Sequence, residues 1–208
     1  MADLQALSAA IEAGDRATAV RITGEAIDQG LGPQTILDAM TAAMATVGAR
    51  FSANEIYVPE MLISARAMKE AAALLEPVLV KADIRPEATA VIGTIKGDLH
   101  DIGKNLVAMM WRGANIEVID LGVDVPAERF VEAVRQHGAS IVGVSALLTT
   151  TMVGMKDVVT AIRAAGLGDV KVVVGGAPVT PEFAAQIGAD GCASDAAIAV
   201  DLVKQLVH

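Results

Sequence analysis

The sequence predicts a two-part α/β chain. An N-terminal four-helix bundle (residues 1–84) precedes a five-stranded parallel sheet covered by helices (residues 85–208). Three observations predict it. Residues 2–77 carry apolar positions at helical spacing only. Residues 81–87, Lys-Ala-Asp-Ile-Arg-Pro-Glu, form a polar link holding one proline. Beyond that link, short continuous apolar runs alternate with amphipathic segments, the pattern of a parallel sheet covered on both faces.

The elements follow in order. Asp3 can cap a first helix that ends at Ala13 before Gly14, and Asp15 a second that ends at Gln29 before Gly30. Pro33 starts a third, with Ile36, Leu37, Met40, Met44 and Val47 on one stripe up to Gly48. Residues 51–58 read as a short irregular or helical connection. Pro59 opens a fourth helix carrying Met61, Leu62, Ala65, Met68, Ala72 and Leu75, and Pro77 is expected to end it. Short links between four such helices suggest an antiparallel bundle. In the second part the strands are expected at 88–95, 116–120, 141–145, 170–174 and 191–193. The helices are expected at 102–113, 127–137, 151–165, 181–187 and 196–207. Five strands with five helices fit the flavodoxin-like (Rossmann-like) order 2-1-3-4-5, whose ligand crevice lies at the carboxyl ends of the first and third strands.

Composition narrows the function. Hydrophobic residues make up 53% of the 208, aromatics only 2%, and the net charge is −9, spread over both halves. A nucleic-acid platform needs stacking aromatics and a basic face, so no nucleic-acid partner is expected. No apolar run is long enough to span a bilayer, so no membrane partner is expected either. Met1–Gln5 lacks a charged n-region and an apolar h-region, and Cys192 is the sole cysteine; together they read as a cytoplasmic setting.

Chemistry concentrates in Lys96-Gly97-Asp98-Leu99-His100-Asp101-Ile102-Gly103-Lys104-Asn105, on the loop after the first strand. Asp98 and His100 are close enough for a carboxylate–imidazole hydrogen bond, which fixes the tautomer and makes the other ring nitrogen a better metal ligand. The same loop also reads as an ordinary strand-to-helix turn with an Asp near a helix start. In the predicted strand order two further loops converge on it. One is Ser145-Ala146-Leu147-Leu148-Thr149-Thr150-Thr151; the other is Gly175-Gly176-Ala177-Pro178. No glycine-rich phosphate motif occurs, which argues against nucleotide cofactors.

Asp98-x-His100-x-x-Gly103, then Ser145-x-Leu147, then Gly175-Gly176, with 41 residues between Gly103 and Ser145 and 27 between Leu147 and Gly175, resembles the cobalamin-binding signature of methionine synthase and of mutase corrinoid domains. Tyr57-Val58-Pro59-Glu60-Met61-Leu62 resembles the helical cap of the methyltransferase branch. The resemblance spans nearly the whole chain. It is nearest to the corrinoid methyl carriers of methanol- and methylamine-type methyltransferase systems.

The resemblance implies a cobalamin or related corrinoid, in its methyl form during turnover. His100 would be the lower axial ligand of cobalt, in place of the cofactor's own base. Asp98 would accept the other ring N–H, and the chain of contacts would continue to a hydroxyl at Thr151, where a serine is frequent. Ser145 and Leu147 would line the space for the displaced nucleotide tail, with Gly175 and Gly176 making room for it, and Thr149 would be a further cofactor-binding residue. Asp101, Ile102, Gly103 and Asn105 would shape the loop under the corrin, and Tyr57 and Met61 would help shield its upper face. The implied partners are a substrate-specific methyltransferase subunit, a second methyltransferase acting on a thiol or tetrahydrofolate-type acceptor, and a reductive activase. The chain itself would be a carrier subunit. Two rivals stay open: a cobalamin-dependent regulator, and the small subunit of an adenosylcobalamin mutase.

Weaker features have structural readings. Met61 and Met68 at helical spacing fit ordinary bundle core. His137 before Gly138 fits a helix end, Trp111 a packing anchor, and Cys192 a small buried apolar residue. Of Thr149, Thr150 and Thr151, at least one is expected to cap the next helix. His208 is read as a loose chain end.

Overall fold

A computed structural model describes residues 2–207; His208 lies outside them. The chain divides into two units by its contacts. One runs to Pro86 and takes in Gly113–Asn115; the other comprises Glu87–Arg112 and the chain from Ile116 onward.

The first unit is helical: α1 (Leu4–Glu12), α2 (Arg16–Asp28), α3 (Pro33–Ser52) and α4 (Val58–Lys81). Asp3 accepts from the N–H groups of Gln5 and Ala6, and Asp15 from that of Thr18, so both predicted caps form. The Glu60 carboxylate accepts from the Tyr57 N–H at 3.1 Å and closes the start of α4. Leu7, Ile11, Ile36, Met40, Met44, Met61 and Leu75 are fully buried. Two hydroxyls tie helices together inside this core: Ser8 donates to Ala39 O and Ser64 to Glu12 O, each at 3.0 Å.

One open reading is settled here and one expectation fails. Helix α3 passes through Gly48 to Ser52 and is closed by Asn54 in the left-handed region, its N–H on Phe51 O. Helix α4 passes through Pro77 to Lys81. A proline ring is compatible with helical φ and costs one hydrogen bond to the preceding turn. Packing along the rest of the helix outweighs that loss. The end is set one turn later, where Asp83 takes φ 53° and Ile84 N–H bonds back to Leu79 O.

The second unit holds β1 (Ala88–Thr94), α5 (Ile102–Gly113), β2 (Ile116–Asp120), α6 (Ala127–His137), β3 (Ile141–Ser145), α7 (Thr149–Met152), α8 (Met155–Ala164), β4 (Lys171–Gly175), α9 (Pro181–Ile187), β5 (Gly191–Ala193) and α10 (Ala196–Val207). The sheet is parallel with order β2-β1-β3-β4-β5, as predicted. Val91, Val142, Val144, Val172 and Val174 pack with α6, α8 and α9 on one face. On the other, Trp111 of α5 lies against Gly143, where an added Cβ would fall 2.7 Å from the indole, and its N–H donates to Ala199 O of α10 at 3.0 Å. His137 ends α6 before Gly138, which is left-handed. Cys192 is half-buried, and burial, then the charge of Glu182, pushes its thiol up, away from nucleophile behaviour.

The helix expected at 151–165 is two pieces. One turn, α7, contains all three threonines, and Gly154 precedes α8. A β-branched run next to a glycine does not sustain one continuous helix. None of the threonines caps: Leu148 and Gly154 hold the cap positions, without side-chain bonds.

Candidate functional site

The site forms where β1 and β3 end side by side. Thr94 pairs with Ser145 in register, and Ile95 N–H donates to Ser145 O at 2.9 Å, so the loops that leave these strands start as neighbours. Between them sits Asp98, whose side chain has no exposed surface. A carboxylate in that position must be surrounded by donors, and it is. Oδ1 accepts from His100 N–H at 3.0 Å and lies 2.8 Å from His100 Nδ1. Oδ2 accepts from Leu147 N–H and from the Thr151 hydroxyl, both at 2.8 Å. The hydroxyl is also 3.0 Å from Leu148 O, but its single proton favours the charged acceptor. Burial pushes the Asp98 carboxyl up; the donors from His100, Leu147 and Thr151 outweigh it and hold the group well below the usual carboxylate range.

An ionised Asp98 dictates the imidazole. The only hydrogen the ring can offer it is on Nδ1, so in the neutral ring Nε2 carries the lone pair. The His100 side chain is 53% exposed, so the ring stands out of the site with a basic nitrogen available. Thr94, buried at the strand end, donates to His100 O at 2.9 Å and fixes the main chain of the residue as well. Leu99, Ile102, Leu147 and Leu148 are exposed around it, an apolar margin at the mouth of a polar network.

The predicted residues separate into groups. Asp98, His100, Leu147 and Thr151 form one network. Ser145 supplies the strand end, and Thr149 is exposed on the turn of α7. Asp101 accepts from the Asn105 side chain at 3.0 Å, bracing the first turn of α5, while Ile102 and Gly103 are exposed there. Gly175 and Gly176 lie against backbone. Ala146 N–H donates to Gly175 O at 3.2 Å. A Cβ on Gly175 would fall 2.9 Å from Ala193 O, and one on Gly176, at φ 127°, would overlap the Ala146 carbonyl. The pair is thus required by the fold itself, beyond any space it leaves for a ligand. In the helical unit Tyr57 is 66% exposed. Met61 has no exposed surface: it lies on the packing stripe of α4 with Ser64, Ala65, Met68 and Leu75, and it presents nothing to a ligand.

The roles of Lys104, Asp120 and Asp124 escaped the sequence reading. Lys104 is 2% exposed, and its ammonium lies 2.7 and 2.6 Å from the two carboxylate oxygens of Asp120 and 2.7 Å from Asn105 Oδ1. Asp124 accepts from Gly97 N–H at 2.7 Å. Helical spacing was the available signal for Lys104, which shares a stripe with Ala108 and Trp111. Asp124 gives no such signal, because its partner is 27 residues away.

The profile of a family described as a B12 binding domain matches residues 88–203, and a second profile of the same description matches residues 3–76. The chain belongs to the B12-binding corrinoid proteins. This corrinoid protein is 38% identical to a corrinoid protein of Desulfitobacterium hafniense (strain Y51), over 100% of its own length and 98% of the relative's. It is 38% identical to the dimethylamine corrinoid protein of Methanosarcina barkeri, over 98% of its own length and 97% of that protein's. The crystal structure of the methanol:cobalamin methyltransferase complex of Methanosarcina barkeri superposes with a TM-score of 0.86 at 30% identity, covering 98% of this chain and 79% of that one. Among the described residues of this corrinoid protein, no helix is long and apolar enough to cross a membrane.

The donor set fits a corrinoid. Among the described residues no group of three or more His, Cys, Asp or Glu could hold a bare metal ion. One imidazole, tautomer fixed and basic nitrogen outward, suits a metal whose other ligands come with its own macrocycle. The exposed aliphatic margin suits the rim of such a ring.

Proposed function

We propose that this corrinoid protein is the methyl carrier of a methyltransferase system. It would receive its methyl group through a substrate-specific methyltransferase subunit and deliver it through a second methyltransferase to a thiol or tetrahydrofolate-type acceptor. A reductive activase would restore the cofactor after oxidation. The relatives named for dimethylamine and for methanol support a small methylated donor of that kind. The cytoplasm is the proposed setting.

His100 would hold the cobalt through Nε2, and Asp98 would keep the ring in that tautomer. Thr151 and Leu147 N–H keep Asp98 ionised and in place. Ser145, Leu147, Thr149, Gly175 and Gly176 would border the nucleotide tail, and Asp101, Ile102 and Gly103 the loop beneath the ring. Tyr57, exposed at the start of α4, is the candidate for shielding from the helical unit. When bound, the corrinoid supplies the metal centre that takes up and releases the methyl group; the chain supplies binding, orientation and a proton site on the imidazole–carboxylate pair.

The observation that carries this reading is the buried Asp98 carboxylate bonded to His100 Nδ1 at 2.8 Å. The test is electron paramagnetic resonance of the protein loaded with cob(II)alamin. Labelling histidine with 15N should change the axial nitrogen splitting from a triplet to a doublet, and His100→Ala should abolish it. A splitting unaffected by both changes removes His100 from the metal.

A further inference from the structure

The loop carrying His100 is held from outside as well as within. The segment after β2, residues 121–126, runs beside it. Thr94 N–H donates to Gly122 O and Val125 N–H to Thr94 O, each at 2.9 Å, and Ile95 bridges Val125. This segment grips the start of the histidine loop through one residue. The Asp124 carboxylate accepts from Gly97 N–H at 2.7 Å, and the Asp124 N–H donates to Asp98 O at 3.0 Å. The far end of the loop is held by Asp120, whose carboxylate binds the buried Lys104 of α5.

The grip falls on the weakest joint. Gly97 takes φ 85°, and without a side chain its dihedrals are the least restrained in the loop. A rotation there displaces the Asp98 carboxylate and, through it, the imidazole two residues on. A charge-assisted bond to Gly97 N–H stops that rotation. Asp124 itself is left-handed, at φ 55°, a conformation that Asp and Asn tolerate better than other side chains, so its backbone N–H and its carboxylate both turn toward the same loop.

We propose that Asp124 is a positioning residue for the cofactor: by fixing the peptide groups of Gly97 and Asp98, it sets where the His100 imidazole stands. This rests on the reading of His100 as the cobalt ligand. Asp124 touches neither the ring nor the metal, and it acts through Asp98.

The test compares Asp124→Asn with Asp124→Gly in the full chain. Asparagine keeps an acceptor oxygen and the left-handed conformation; glycine keeps the conformation and loses the acceptor. The first readouts use the cofactor-free protein: hydrogen exchange at Gly97 N–H and the 15N resonances of the His100 ring. Asp124→Gly should exchange about tenfold faster at Gly97, the scale of one lost charge-assisted bond, with ring resonances moved toward averaged tautomers. Asp124→Asn should stay near the parent protein. The second readout is cobalamin affinity, expected to fall about tenfold in Asp124→Gly and to be recovered by Asp124→Asn. Ring resonances and affinity unchanged in Asp124→Gly overturn the proposal. So does an equal loss in both variants that tracks thermal stability, since that marks a purely structural residue. If the parent protein shows no histidine splitting at cobalt, the ligand reading fails, and the His100 ring resonances of the cofactor-free variants still decide whether Asp124 places the ring.

Discussion

Replacing Asp98 by Asn separates charge from shape at the centre of the site. The carboxylate receives donors on both oxygens: His100 N–H and Nδ1–H on Oδ1, and Leu147 N–H, the Thr151 hydroxyl and, at 3.4 Å, Leu148 N–H on Oδ2. An amide can offer acceptor oxygen to one side only. With its NH2 toward Leu147, Thr151 can turn to accept, since Leu148 O is ready to take its proton, but the N–H groups of Leu147 and Leu148 lose their acceptor. With its NH2 toward His100, the His100 N–H loses its partner, and the ring must carry its proton on Nε2, where no lone pair remains for a metal. Either way at least one donor loses its acceptor and the charge that strengthens the other bonds is gone, a cost of about 2–4 kcal/mol. Trp111, the one tryptophan, is buried in the same unit, so its fluorescence during urea unfolding reports this unit specifically. The sign with pH follows from the lowered Asp98 pKa. A carboxyl whose folded pKa is depressed stabilises the fold above its unfolded pKa, about 4, and loses that contribution as pH falls below it. The gap between parent and Asp98→Asn should therefore be constant from pH 7 to about 5 and shrink in more acidic solution. Equal unfolding midpoints at pH 7, or a gap that widens on acidification, would refute the reasoning.

Gly176→Ala should destabilise the cofactor-free protein by about 3 kcal/mol or more, because the new Cβ meets the Ala146 carbonyl at a backbone angle that L residues avoid; calorimetry without cobalamin checks it, and a loss confined to cofactor binding would contradict it. Thr151→Ser should leave stability within about 0.5 kcal/mol of the parent, whereas Thr151→Val should cost about 1–2 kcal/mol by removing a donor from a buried carboxylate; urea titration followed by Trp111 distinguishes them. Lys104→Met should cost about 2 kcal/mol, less than a fully buried pair because Asp120 keeps 29% of its side-chain surface in water. The same titration measures it, and no loss would mean the pair contributes nothing net.

The sheet order, the division into a helical and an α/β part, and the loop on which His100 sits are all legible in the residues alone. Each rests on local chemistry. Apolar periodicity tells helix from buried strand, Asp3 and Asp15 bond to amides two or three residues ahead, and Asp98 reaches His100 across one residue. What depends on partners distant in sequence emerged only in the folded chain. Pro77 reads as a stop locally, yet its helix continues, because packing along the whole of α4 outweighs one missing hydrogen bond. Met61 could have faced a ligand or a core, and its stripe on α4 buries it. The threonines look like caps in the local pattern; the resemblance alone pointed Thr151 toward Asp98, and its hydroxyl does lie on that carboxylate, 53 residues away. Gly175 and Gly176 looked like room for a ligand, but their missing side chains are also demanded by the carbonyls of Ala193 and Ala146. Asp124 left no trace in the local pattern at all. Its role exists only because parallel β1 and β2 bring Gly97, 27 residues before it, within 2.7 Å of its carboxylate.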